Sequence, residues 1–133
     1  MPSIFDTNVL VDLLTQDPKW KGWSEKQVRA AQAEGPIIIN PIIYAELAAA
    51  FLTQDDLDDW LRPTLFKRLP LPYEAGFRAS RAFLAYRKAG GAKVSPLPDF
   101  YIGAHAEHAG FTLVTRDVSR YRTYFPLVKL ITP

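Results

Sequence analysis

The chain has 133 residues, 48% of them hydrophobic and 23% charged, with no cysteine and a formal net charge of +2. That length suits a single domain over 1–133, and the apolar content excludes a wholly disordered chain. Without cysteine there are no disulfides, thiolate metal sites or cysteine nucleophile, and a reducing, cytoplasmic setting is expected.

The first residues, Met1-Pro2-Ser3-Ile4-Phe5-Asp6, have no basic stretch and no long apolar run. Neither a signal peptide nor a membrane span is expected. Residues 3–5 predict a short buried strand, and 8–14 and 23–34 predict helices, the second stopped by Gly35-Pro36. Residues 36–39 predict a second strand. The Ala-rich run 41–52 predicts a helix buried on most faces, and 55–61 a short helix. A strand is expected over 65–69 and a long helix over 72–89. The Gly- and Pro-rich connection 90–97 is expected to be the most mobile inner loop. A helix over 98–109 starts with Pro and stops at Gly110. Strands over 111–115 and 128–131 complete the set. Strands alternating with helices predict an α/β domain: a parallel sheet of about five strands in three α/β/α layers.

Ligand sites in open parallel sheets form beyond the carboxyl ends of the strands. Asp6 follows the first strand directly, and Asp117 follows the fourth by two residues. Glu46 lies in the second turn of the helix after the second strand, and Asp99 in the first turn of the helix opened by Pro98. These four acids can therefore converge on one edge of the sheet. Four carboxylates in a partly dry cleft stay ionised together only with a cation among them. Oxygen-only ligands favour Mg²⁺ or Mn²⁺ over zinc. Such a metal supplies a nucleophilic water and polarises a phosphoryl oxygen, which is phosphodiester hydrolysis. Each acid also has a plainer explanation. Asp6 can cap a helix, Asp99 can face a helix dipole, Asp117 can form a turn, and Glu46 can pair with an arginine. The remaining carboxylates, Asp12, Glu107 and the Asp55–Asp59 run among them, are expected on a solvated surface.

Four segments resemble the motifs of PIN-domain ribonucleases: Ile4-Phe5-Asp6-Thr7-Asn8-Val9-Leu10, Tyr44-Ala45-Glu46-Leu47, Pro98-Asp99-Phe100-Tyr101-Ile102-Gly103-Ala104-His105-Ala106, and Leu113-Val114-Thr115-Arg116-Asp117. They occur in order and at the usual spacings over the whole chain. At this length the chain is similar to the VapC toxins of toxin–antitoxin pairs. The resemblance implies a PIN-like fold and a Mg²⁺- or Mn²⁺-dependent endoribonuclease. It further implies a homodimer, an RNA substrate and a cognate VapB-like antitoxin that places an Arg or Lys among the acids. It assigns Asp6 and Asp99 as principal metal ligands, with Glu46 and Asp117 as the remaining acids. Thr7 and Asn8 match the polar pair, with Asn8 orienting Asp6 or a neighbouring acid. Thr115 is a hydroxyl suited to positioning a water. Gly103, where the family often has Ala, is expected to serve close helix–sheet packing.

Charge is uneven along the chain. Residues 1–61 hold four Lys/Arg against ten Asp/Glu, and residues 62–133 hold twelve against four, so the balances are −6 and +8. This asymmetry points to a polyanionic partner. Arg116, Arg120 and Arg122 flank Asp117 and are candidates for RNA phosphate contact. Arg78, Arg81 and Lys88 lie at helical spacings and are expected to form one basic face. His105 and His108 are expected to be packed or exposed rather than ligands. Trp20, Trp23 and Trp60 are candidates for the antitoxin surface. The apolar 41–52 helix with 55–61 is expected to supply a two-fold dimer interface. Two further readings are a degenerate PIN-like domain that only binds, and a PIN nuclease outside any toxin–antitoxin pair. A signalling receiver domain is excluded. It needs a second acid beside Asp6, an acid after the third strand and a lysine after the fifth.

Overall fold

A computed structural model describes residues 2–93 and 97–133. Five short strands form one parallel sheet: β1 (Ser3–Phe5), β2 (Ile37–Ile39), β3 (Phe66–Arg68), β4 (Thr112–Val114) and β5 (Leu130–Ile131). Their order is β3-β2-β1-β4-β5. Ile4 pairs in register with Ile38 on one side and Leu113 on the other. Ile4, Phe5 and all three residues of β2 are buried, as a strand covered on both faces requires. Edge strand β3 instead exposes Lys67 and Arg68, charges that blunt pairing with another chain.

Among the described residues, seven helices accompany the sheet: α1 (Thr7–Thr15), α2 (Lys21–Glu34), α3 (Pro41–Ala48), α4 (Gln54–Trp60), α5 (Tyr73–Lys88), α6 (Pro98–Ala109) and α7 (Val118–Tyr124). From β1 the chain steps one way to β2 and β3, then returns across the sheet to β4 and β5. Right-handed crossovers running in opposite directions place helices on opposite faces. The reversal makes a switch point between β1 and β4, where the connections after the two strands diverge and leave a crevice.

Three local features set the frame. Asn40 caps α3, its Oδ1 accepting from the Ile43 N–H at 3.0 Å, and Pro41 occupies the first turn. The Asn40 amide also lies 3.0 Å from His105 Nδ1, which ties the start of α3 to α6. His105 is buried, and burial holds its pKa below the usual value. Phe100, fully buried, packs against the rings of Phe83, Tyr86, Tyr124 and Phe125 at 5.6–6.3 Å. Burying such a side chain contributes about 1.5–3 kcal/mol, so the first turn of α6 is firmly seated.

The structure differs from expectation in four places. The 41–52 helix stops at Ala48, because the Ala50 and Phe51 N–H groups tighten onto Leu47 and Ala48 and Phe51 turns toward Trp60. Nor is it buried on most faces: Ile43 and Leu47 are buried, while Ala45, Glu46, Ala48, Ala49 and Ala50 are exposed. α7 was not expected; its Ser, Thr and aromatic residues are poor helix formers, and burial of Tyr121 and Phe125 holds the segment in place. At Gly103 a Cβ would meet the Phe125 ring at 2.5 Å, so the close approach is to that ring rather than to the sheet. The 90–97 connection lies partly outside the described residues.

Candidate active site

Asp6 sits directly after β1 at the switch point, and it is 7% exposed. Its backbone N–H donates to the Val114 carbonyl at 2.9 Å, which continues the β1–β4 ladder by one residue. Two hydroxyls donate to Oδ2: Thr115 Oγ1 at 2.8 Å and Tyr121 at 3.1 Å. No cation pairs with Asp6 among the described residues. Its pKa is pushed up to about 6. Burial is the main cause; the Thr115 hydrogen bond opposes it, the Asp99 charge adds to it, the Tyr121 hydrogen bond opposes it further, and the Glu46 charge raises it slightly. Burial beside these acids also raises the Tyr121 pKa well above normal, so it serves as a neutral phenol donor.

The other three acids come from separate elements, and the charges of Asp99 and Glu46 reach Asp6. Glu46 on α3 accepts from Thr7 Oγ1 at 2.7 Å, which links α1 to α3. Asp99, in the first turn of α6, accepts from Arg120 Nη1 at 2.8 Å. Asp117 is the residue before α7 yet makes no side-chain capping bond. Its backbone N–H donates to Thr115 Oγ1 at 3.0 Å. Among the described residues, no three acidic or histidine side chains stand close enough to enclose a metal ion as placed. Their own partners, Thr7 and Arg120, hold Glu46 and Asp99.

The donor set nevertheless fits a hard divalent cation. It consists of oxygens only, and its most buried carboxylate lacks a counter-charge. Two residues along the chain, Asn8 Oδ1 is buried without a hydrogen-bond donor among the described residues. The expected orienting bond from Asn8 to an acid is not made among the described residues. Thr115 and Tyr121 take that role for Asp6, and Thr7 for Glu46. The Thr115 hydroxyl donates to Asp6 and accepts from the Asp117 N–H. Tyr121 went unnoticed in the sequence because α7 was not read as a helix. Its only signal is a position four residues after Asp117, one helical turn on.

The arginines divide. Arg116 is not available to phosphate: its guanidinium forks onto Asp12 at 2.9 and 3.0 Å, over the Trp20 ring. Asp12 is accordingly not a surface acid; it is 2% exposed and also accepts from Ser24 at 2.7 Å. Arg78 likewise leaves the expected basic face, bonding Glu107 at 2.7 Å and the Tyr124 carbonyl at 2.6 Å. Arg122 is exposed, and Arg120 faces Asp99. His108 is exposed and 3.4 Å from Glu74. A cavity of about 450 Å³ is lined by Ile39, Tyr44, Gln54 and Arg68, among others, and by none of the four acids.

The sequence matches the PIN domain family over residues 3–126, and the chain belongs to that family. PIN domains are generally nucleases that use divalent metals. No curated protein matches the sequence. Several solved structures share the fold at low identity. One is VapBC2 from Rickettsia felis bound to a promoter DNA fragment: 18% identity, TM-score 0.74, covering 100% of this chain and 99% of that one. Another is FitAcB from Neisseria gonorrhoeae: 21% identity, TM-score 0.67, covering 98% and 97%. A third is a toxin–antitoxin complex from Klebsiella pneumoniae: 21% identity, TM-score 0.71, covering 98% and 97%.

Proposed function

We propose that this PIN domain is a Mg²⁺- or Mn²⁺-dependent endoribonuclease, the toxin of a toxin–antitoxin pair of the VapBC kind. The observation that carries the reading is Asp6. It is buried at the switch point, held by two neutral hydroxyls and paired with no cation among the described residues, while the charges of Asp99 and Glu46 reach it. Asp6 and Asp99 would hold the metal, with Glu46 and Asp117 completing the acidic set. When bound there, such a metal would supply Lewis-acid activation of water and charge stabilisation at a phosphoryl group. Thr115 and Tyr121 fix the Asp6 carboxylate in one orientation, and Thr7 holds Glu46, so these two acids are oriented within the fold. Arg120 and Arg122 provide positive charge for the RNA backbone on the side of α7.

Two surfaces support the proposed partners. Leu13, Val28, Trp60, Leu65 and Phe66 line an apolar depression of about 230 Å³ between α1, α2 and α4, which suits an apolar antitoxin side chain. The exposed alanine face of α3, continued by Leu52 at 99% exposure, suits a second copy of the chain. Among the described residues no helix is long and apolar enough to cross a membrane, in keeping with a cytoplasmic protein. The test is cleavage of a mixed RNA pool with Mg²⁺ or Mn²⁺, with and without EDTA. Metal-dependent endonucleolytic products that disappear in Asp6→Asn are expected. Cleavage that persists in EDTA, or in Asp6→Asn, would overturn the reading.

A further inference from the structure

The pairing of Arg120 with Asp99 extends the reading above and rests on it. Arg120 Nη1 lies 2.8 Å from Asp99 Oδ2, with the two side chains 30% and 26% exposed. Its guanidinium also lies over two aromatic rings, Phe100 at 5.7 Å and Tyr86 at 5.8 Å. Stacking of this kind suits arginine and would persist without the carboxylate. The adjacent residue, Tyr121, donates to Asp6. One turn of α7 thus delivers a neutral donor to Asp6 and a full positive charge to Asp99. Of the three arginines around Asp117, Arg116 is committed to buried Asp12 and Arg122 is exposed. Arg120 alone of the three touches one of the four acids.

We infer that Arg120 is a resident counter-ion that the divalent metal must displace from Asp99, and that the displaced guanidinium, still seated on Phe100 and Tyr86, binds the substrate phosphate. A cation and a guanidinium compete for the same carboxylate, so the pair weakens metal binding while no substrate is present. Once Asp99 turns to the metal, the freed charge sits beside the place where a phosphodiester must lie. Metal and RNA then reinforce each other, because the metal releases the group that holds the RNA, and the RNA occupies the group that competes with the metal. This coupling is reciprocal by linkage.

Arg120→Gln and Arg120→Lys separate this role from a structural one. Mn²⁺ binding is measured by calorimetry without RNA. Arg120→Gln should bind Mn²⁺ about fivefold more tightly, the scale of one partly exposed ion pair, while Arg120→Lys should stay near wild type. The affinity of an uncleavable single-stranded oligonucleotide analogue is then measured against salt at saturating Mn²⁺, with Asp6 and the other acids unchanged. There Arg120→Gln should reduce the slope of log K on log salt by about 0.7. Unchanged or weaker Mn²⁺ binding in Arg120→Gln would overturn the counter-ion role, and an unchanged salt slope would overturn the phosphate role. If Arg120→Gln fails to fold, the wild-type chain still decides. Guanidinium resonances of Arg120, assigned with the Lys variant, should shift on adding Mg²⁺; resonances that do not move would overturn displacement. Loss of the proposed nuclease function would appear separately, as a wild-type chain that binds Mn²⁺ but never cleaves RNA.

Discussion

Asp6 and Asp12 are both buried aspartates near the start of the chain, 7% and 2% exposed, yet their surroundings are opposite. Asp12 receives a two-pronged guanidinium from Arg116 and a hydroxyl from Ser24. Its charge is neutralised within the fold, and it joins α1 to α2 and to the segment after β4. Asp6 receives two hydroxyls and no cation. Burial is costly for an unpaired carboxylate, and here it raises the pKa to about 6. Asp12 is part of the framework. Asp6 is kept in a state that a bound cation would relieve. A buried acid thus marks a site when the fold withholds its counter-charge.

The sharpest way to break that contrast is to neutralise each acid. Asp6→Asn or Asp99→Asn should lower RNA cleavage at least roughly a thousandfold, on the order of 4 kcal/mol of transition-state stabilisation. Single-turnover assays would measure it, with circular dichroism showing the fold intact.

Stability against pH sharpens the same contrast. The native pKa of Asp6, about 6, lies above its ordinary value of 3.8, so the native state holds the proton more tightly than the unfolded chain. Without metal, stability therefore falls as pH rises from about 4 to about 6, by about 3 kcal/mol at most. Asp6→Asn removes this cost. Its melting temperature should match wild type near pH 4 and exceed it near pH 7, a gap that thermal scans in EDTA would read.

Asp12→Ala should do the reverse. It leaves the Arg116 charge without its partner, costing about 2–3 kcal/mol in urea unfolding, less than a fully buried pair because Arg116 reaches solvent. Cleavage per folded molecule should survive. Loss of cleavage in a folded Asp12→Ala protein would erase the distinction between the two acids. The smallest expected effect is that of Arg122→Ala, which should leave stability unchanged and reduce the salt slope of RNA binding by about 0.7.

All five strands and six of the helices were legible in the sequence, because short β-branched or aromatic runs bounded by Gly, Pro or Asn have few other uses. The four acids were legible as residues that follow strands or open helices. What supports them was not. Tyr121 and Arg120 lie on α7, a segment of low intrinsic helicity whose formation depends on burial of Tyr121 and Phe125. The Asp12–Arg116 pair spans 104 positions, and nothing local at either end announces it. Asn8 resembled an orienting residue through its neighbours in sequence, whereas the donors that reach Asp6 come from beyond residue 114. For α3, the alanine run carried a helical signal but not its limit, which Phe51 imposes by folding toward Trp60.

The position of β1 between β2 and β4 has a consequence for how the protein is born. Synthesis delivers β1, β2 and β3 with their helices first, and these can pair while later residues are still within the ribosome. During that interval Asp6 has neither Thr115 nor Tyr121, and its strand lacks one of its two neighbours. Asp99 and Asp117 arrive later, and the α7 donors last. On the proposed reading, a nascent or prematurely truncated chain holds no assembled cutting edge. Assembly of the four acids with their donors waits for the segment through residue 121 to leave the exit tunnel.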